Sequence, residues 1–387
     1  MAAEAPHLLH VFATFAPGGP QVRTARLLAA LGGEYRHTVV AMDGRTDARE
    51  LLPPELAVEL VPPPAAAGFP RVLLALRGLL RRLSPDLLLT YNWGAIETVL
   101  AARTLGLARR IHHEDGFRPD EAAGFKRRRV LFRRLALAGG DALIVPSRTL
   151  ADLATGLWKQ PPRRVHYIPN GIEVDRFPPR GSDAAGRRAR RAELGVPVDA
   201  PVVGAVGHLR AEKNYPRLVR AFARLGSSPP PHLLILGDGE ERAELERLAA
   251  EPALRGRVHL PGHREELAPW YGLMDAFAIS SDTEQMPVAL LEAMSAELPV
   301  VSTDVGDVRR MLPDGQGDLV VPLEGERTEE LLAQALARLL ADPEARARLG
   351  AENRRRVLER FTFEVMLDAY RERYRAALGR PRGGALA

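Results

Sequence analysis

The sequence predicts an α/β chain made of two doubly wound parallel sheets. Three observations carry this. Short apolar runs alternate with amphipathic helical stretches in two successive series. A Pro-, Gly- and Arg-rich interval separates the series, and 387 residues are too many for one ordinary core. Apolar residues make up 46% of the chain, as in folded proteins.

The first series reads as strands at 7–15 (HLLHVFATF), 37–42, 57–62, 86–91, 109–114, 141–147 and 164–170. Helical patterns near 20–31, 70–83, 94–105, 121–138 and 148–157 separate most of them. Regular strand–helix–strand alternation implies right-handed crossovers. The interval 179–200 (PRGSDAAGRRARRAELGVPVDA) reads as a linker with a short helix. The alternation restarts with strands at 201–209, 232–239, 257–263, 275–280, 298–305 and 317–323. A late helix opens at Asp342-Pro343, an N-cap followed by proline at the first helical position. The expected division is therefore an N-terminal domain, 1–178, a linker, 179–200, and a C-terminal domain, 201–361. In doubly wound sheets, ligands sit at the carboxyl ends of the strands, so the loops there hold the candidate site.

Composition narrows the chemistry. The chain has no cysteine, which excludes a disulfide scaffold and thiolate catalysis and suits a reducing compartment. The opening MAAEAPHLLHVFATF lacks the basic start and cleavage site of a signal peptide. No run approaches the roughly 18–20 apolar residues of a membrane span. A cytoplasmic protein is expected. Residues 1–180 hold 25 Lys/Arg against 17 Asp/Glu, whereas the rest hold 29 against 32. The basic front half points to an anionic partner, a membrane surface or a charged substrate; a solvated Arg-rich surface is the alternative. Within it, GFKRRRVLFRRLALAGG (124–140) reads as a cationic amphipathic helix suited to anionic headgroups, which would place the protein peripherally on the inner face of the membrane. Nucleic acid is not expected as a partner, because aromatics for base stacking are sparse at 5%.

The stretch SSDTEQMPVALLEAM (280–294) carries Glu284 in a loop and Glu292 inside an apolar helix that Pro287 opens. The unpaired N–H groups of its first turn form an anion site, and a carboxylate beside them suits a diol such as a ribose. The structural alternative has Glu284 serving the helix dipole and Glu292 reaching for solvent. Upstream, VVGAVGHLRAEKNYPRL (202–218) ends a strand in a basic loop where Arg210 and Lys213 suit a diphosphate. In LILGDGEERAEL (234–245), Gly237 and Gly239 flank Asp238 in a turn that would let backbone approach a base or ribose closely. In the first half, RRIHHEDG (109–116) puts His112 and His113 at a strand's carboxyl end, and TYNWGAIE (90–97) puts Asn92, Trp93 and Glu97 on the same rim. Acceptor contact is one reading there; a packed Trp with a capping Asn is the other.

In order and at suitable spacing, GHLRAEKN, GDGEE, LPGH and EQMPVALLE resemble the motifs of the retaining GT-B glycosyltransferases of family 4 (glycosyl transferases group 1). YIPNGIEVDRF (167–177) resembles that family's hinge entry, and FAPGGPQVRTARLLAAL (15–31) its N-terminal Gly-Gly loop. The resemblance covers nearly the whole chain. It implies a GT-B fold, two Rossmann-like domains facing a cleft, with the last helix (362–387) crossing back to the first domain. It implies that Glu292 binds a nucleotide ribose and Glu284 the donor sugar, with backbone from Gln285, Met286, Pro287 and Val288. Lys213 and the Gly18-Gly19 loop match diphosphate contacts, and Gly262 and His263 the nucleotide loop. A histidine, His112 or His113, would lie near the sugar's reacting carbon. Two positions depart from the pattern: His208 replaces the usual clamp arginine, leaving Arg210 to substitute, and Gln21 stands where many relatives have Glu.

The implied activity is retaining glycosyl transfer from a nucleoside-diphosphate sugar, a co-substrate rather than a cofactor, to a sugar, lipid-linked or small-molecule acceptor. It works without a metal and serves polysaccharide, lipopolysaccharide or glycolipid synthesis. A GT-B sugar epimerase and a catalytically silent nucleotide-sugar or membrane-binding protein are the alternatives. A dinucleotide-dependent dehydrogenase is excluded, because APGGPQVR does not supply the required G-x-G-x-x-G.

Overall fold

The computed structural model describes residues 5–116, 126–226 and 228–379. Its contacts divide the chain into two compact units, Met1–Asn170 with Met366–Ala387, and Gly171–Val365.

The first unit holds seven strands: β1 (His7–Phe12), β2 (Arg36–Ala41), β3 (Val58–Leu60), β4 (Leu87–Tyr91), β5 (Arg110–His113), β6 (Ala142–Val145) and β7 (Val165–Tyr167). They pair in parallel in the order β3-β2-β1-β4-β5-β6-β7, so strand order reverses between β1 and β4. Successive residues of a strand face opposite sides. Leu9, Val11, Val40 and Leu88 pack on Leu76, Leu79 and Leu80 of helix Phe69–Leu83. The other side carries aromatic and polar rings instead. Tyr91 stacks between Phe12 and His113, at 4.0 and 4.4 Å, and His10 bonds to both Tyr91 Oη and His37. Helix Phe363–Leu378 brings the buried Tyr370 and Tyr374 against these rings, and Arg371 and Arg375 both hold Glu34.

The second unit holds six parallel strands: β8 (Val202–Val206), β9 (His232–Leu236), β10 (Val258–Gly262), β11 (Ala276–Ile279), β12 (Val300–Thr303) and β13 (Val320–Val321). Their order is β10-β9-β8-β11-β12-β13, with the reversal between β8 and β11. Both faces are apolar, as a fully covered parallel sheet requires. Val203, Ala205, Ile235 and Ala278 meet helices Tyr215–Ala223 and Arg327–Ala341 on one side. Val202, Leu234, Phe277 and Val300 meet helix Val288–Ser295 on the other.

The boundary departs from the expected 178 because Ile172, Val174 and Phe177 enter the second unit's core. The interval 179–200 is likewise not a free linker. Its helix, Ala184–Glu193, is anchored where Arg180, Arg187 and Arg191 converge on Asp275. The late helix Pro343–Arg360 begins as the sequence indicates, the Asp342 carboxylate accepting from the Ala345 N–H at 2.9 Å. No helix among the described residues is long and apolar enough to cross a membrane.

Candidate functional site

In the second unit, three loops at the carboxyl ends of β8, β11 and β12 are laced together. The Asp282 N–H donates to the Glu212 carbonyl at 2.8 Å, and Ser280 Oγ to the Lys213 carbonyl at 2.9 Å. Arg217 reaches back from helix Tyr215–Ala223 to the Ser280 carbonyl and the Asp282 carboxylate. From the β12 loop, the Asp307 N–H donates to the Gln285 carbonyl at 3.0 Å. Gly306 sits so close that a Cβ would lie 2.4 Å from the Glu284 carbonyl, at a φ of 54° that favours glycine. Nothing local in the sequence singles out Gly306.

This frame brings together residues 71 positions apart. Lys213 Nζ donates to Glu284 Oε1 at 2.6 Å, and Ser281 Oγ donates to the same oxygen at 2.8 Å. The Glu284 side chain is 11% exposed and that of Lys213 25%, so the pair is only partly solvated. Both contacts spare Oε2. Arg210 stands apart: it is exposed, and its nearest carboxylate is Glu212 at 4.0 Å. His208 is exposed as well.

Helix Val288–Ser295 begins one residue later than the sequence suggests, with Pro287 as its N-cap. Met286 and Pro287 are buried, and Glu292 is half-buried with its Oε2 accepting from Tyr271 Oη at 2.8 Å. Tyr271 is fully enclosed. Burial first, and Glu292 second, hold its phenol pKa well above the ordinary value, so it remains a donor. Sequence reasoning missed Tyr271, because a tyrosine preceding an apolar strand reads as core.

The glycines of the Gly-Asp-Gly turn serve a close approach within the protein itself. A Cβ on Gly237, whose φ is 139°, would lie 1.9 Å from the Gly207 carbonyl, and one on Gly239 would lie 2.6 Å from that of Leu209. The close approach these glycines permit is to the protein's own β8 loop. The Asp238 carbonyl accepts from the Leu209 N–H, and the Gly262 carbonyl from the Gly237 N–H, so the turn braces the segment bearing Arg210 and Lys213. His263 is exposed just beyond.

In the first unit, Gly18 is the extended N-cap of helix Gly19–Leu31, and both glycines are exposed. His112 and His113 are both buried, on opposite faces of the sheet. His112 Nδ1 bonds to Thr90 Oγ1 at 2.8 Å, on the side where Arg133 contacts Glu114 at 3.2 Å. His113 lies on the face that helix Gly19–Leu31 covers. Its Nδ1–H donates to the Thr90 carbonyl, and burial, with Arg23 adding to it, lowers its pKa to about 3. The ring is therefore neutral and Nε2 is an acceptor. Arg23 bridges Asp115 at 2.5 Å and Asn170 at 3.1 Å.

At the β4 rim Trp93 is packed, whereas the Asn92 side chain does not cap the helical turn that follows it. Asn92 Oδ1 accepts from the Asp115 N–H at 2.7 Å, and Trp93 packs under the guanidinium of Arg133 at 4.7 Å. Glu97 is half-buried, has no hydrogen bond or ion pair to another side chain among the described residues, and has its pKa raised by burial. The basic helix runs Arg127–Leu137, and its expected start at 121–125 lies outside the described residues. It departs from a simple amphipathic pattern. Arg133 is buried, whereas Leu131 and Leu135 are 57% and 52% exposed among Lys126, Arg127, Arg128 and Arg134.

Comparison with known proteins fits this architecture. Residues 18–171 match the glycosyl transferase 4-like domain, and residues 186–356 match the glycosyl transferases group 1 family. A D-inositol 3-phosphate glycosyltransferase of Xylanimonas cellulosilytica is 34% identical over 62% of this chain, a match spanning 59% of that relative's length. The lipopolysaccharide core biosynthesis glycosyltransferase LpsE of Rhizobium meliloti is 29% identical over 78% of this chain and 79% of its own. Among solved structures, Anabaena HepE in complex with UDP and glucose superposes with a TM-score of 0.78. That match covers 96% of this chain and all of HepE at 17% identity, a likeness of fold. With two Rossmann-like sheets and both family models matched in order, the chain belongs to the GT-B glycosyltransferases of family 4, the glycosyl transferases group 1.

Proposed function

We propose that this chain transfers a sugar from a nucleoside-diphosphate donor to an acceptor hydroxyl with retention of configuration. One observation carries the reading. At the reversal between β8 and β11, the fold gathers a cation, Lys213, two carboxylates, Glu284 and Glu292, and the N-terminus of helix Val288–Ser295. These are the groups a diphosphate, a sugar and a ribose require. Lys213, the exposed Arg210 and the helix N-terminus neutralise the leaving diphosphate. The diphosphate takes the acceptor's proton as the acceptor attacks the same face of the sugar, so in this reading neither a protein nucleophile nor a metal is needed.

On the acceptor side we place His113 rather than His112: Nε2 of both rings lacks a hydrogen-bond partner among the described residues, but only His113 lies on the face that Arg23 of helix Gly19–Leu31 approaches. Glu97 is the carboxylate we assign to an acceptor hydroxyl. The relatives' names, one on an inositol phosphate and one on lipopolysaccharide core, agree with the basic first half in favouring an anionic or lipid-linked acceptor. The cytoplasmic face of a membrane is the corresponding place of work.

The experiment is thermal-shift and calorimetric binding of UDP, GDP, ADP, dTDP and CMP to the wild type and to Glu292→Ala. One nucleotide stabilising the wild type, with the effect lost in the variant, is the expected result. No stabilisation by any of the five, and none in a Glu284→Gln variant either, overturns the reading.

A further inference from the structure

Lys213 and Glu284 are assigned to two halves of one ligand, the ammonium to the diphosphate and the carboxylate to the sugar. In the structure each is the other's partner, at 2.6 Å. That pairing has a consequence for binding, which rests on the proposed donor site. A diphosphate that takes the Lys213 donors brings negative charge to within a few ångströms of Glu284, in a partly dehydrated loop where repulsion is weakly screened. The carboxylate and the diphosphate therefore compete for one ammonium. After the exchange, Glu284 retains only the Ser281 hydroxyl, and that residue is fixed, its carbonyl accepting from Thr303 Oγ1 at 2.7 Å.

A nucleoside-diphosphate sugar supplies hydroxyls that the released carboxylate can accept from. A bare nucleoside diphosphate supplies none, and strands a carboxylate that is 11% exposed. We propose that the Lys213–Glu284 ion pair is a specificity device, which favours a nucleoside diphosphate carrying a sugar over the same diphosphate without one. The donor is thereby selected over the product, and product release is assisted by re-formation of the pair.

The sign of the effect is unusual for a binding residue. Glu284→Gln keeps the side chain's size and removes the competing charge, so it should tighten binding of a bare nucleoside diphosphate, by roughly five- to thirtyfold for loss of a charge-assisted partner. The test is calorimetric titration of the wild type, Glu284→Gln and Glu284→Ala with UDP, GDP, ADP, dTDP and CMP. Repeating it at about 0.5 M salt suppresses effects of net charge that act at a distance. Glu359→Gln, which removes an exposed carboxylate paired with Arg355 on helix Pro343–Arg360, away from Lys213 and Arg210, is the control and should change affinity less than about twofold by the same screening.

Tighter binding in both Glu284 variants, persisting in salt, supports the proposal, as does binding gained by a variant where the wild type binds nothing. Unchanged or weaker binding, with the wild type binding normally, overturns it and leaves the proposed function standing. If neither the wild type nor the variants bind any of the five, both fall.

Discussion

The hydroxyl of Tyr271 donates to Glu292 Oε2 at 2.8 Å from a ring enclosed edge-on against Phe177. The bond crosses from a short helix, Ala268–Tyr271, to helix Val288–Ser295 and fixes the direction of a carboxylate within an otherwise apolar stretch. Tyr271→Phe preserves the ring packing and deletes only the donor. Nucleoside-diphosphate affinity should fall by about fivefold, the worth of roughly one hydrogen bond, with little change in thermal midpoint. Calorimetry on the variant checks this. Unchanged affinity would mean that Glu292 is aimed by something else.

The histidines of the first unit's aromatic face give the stability a pH dependence of definite sign. Burial is the main cause that lowers the pKa of His37 to about 4 and that of His113 to about 3; His10, between His37 and Tyr91, is also held well below its ordinary value. Such groups take up protons more readily in the unfolded chain, where the pKa is about 6.5. Their contribution is therefore complete above that value and is lost as pH falls toward the folded values. His37 and His113 should each cost about 2 kcal/mol between pH 7 and pH 5, from the linkage slope of about 1.4 kcal/mol per pH unit, with His10 acting in the same direction. Urea unfolding followed by tryptophan fluorescence at pH 7, 6 and 5 measures it, since Trp93 and Trp158 belong to this unit. A flat profile over that range would contradict the burial of these rings.

The exposed face of helix Arg127–Leu137 pairs Leu131 and Leu135 with Arg127, Arg128 and Arg134, and Phe132 meets Phe69 of helix Phe69–Leu83 at 5.7 Å. That second helix exposes Leu74 beside Arg71, and neither helix contains an acidic residue. Exposed leucines among cations suit an anionic bilayer surface. The triple variant Lys126→Ala, Arg127→Ala, Arg128→Ala should lose sedimentation with liposomes containing phosphatidylserine, at about 1 kcal/mol per charge. Equal sedimentation of wild type and variant would remove the membrane from the proposed function.

The sequence was most informative where physics is local. Among the described residues each of the thirteen runs holds a strand of one of the two parallel sheets. The inner ones, such as β4 and β9, are nearly continuous apolar runs because both their faces are buried, whereas β3 leaves Glu59 and Leu60 exposed. The last was the weakest: 317–323 holds only the two-residue strand Val320–Val321, preceded by a turn of 3-10 helix. Asp342-Pro343 announced its helix because capping needs only neighbouring residues. The motif spacing also marked the loops that hold Lys213 and Glu284 and the helix that holds Glu292.

The sequence by itself thus determined the two sheets, the order of their strands along the chain and the loops that bear the candidate chemistry. The partners of each side chain were decided only in three dimensions. Lys213 meets Glu284 because β8 and β11 lie side by side, a juxtaposition of residues 71 positions apart that no local pattern encodes. Gly237 reads alike whether it makes room for a ligand or for Gly207, and only the approach of the β8 loop distinguishes them. His112 and His113 are equivalent as letters, yet the pleat sends them to opposite faces, one toward Thr90 Oγ1 and the other onto Tyr91. Periodicity and capping act over a few residues. Pairing, close approach and burial depend on what the fold brings alongside.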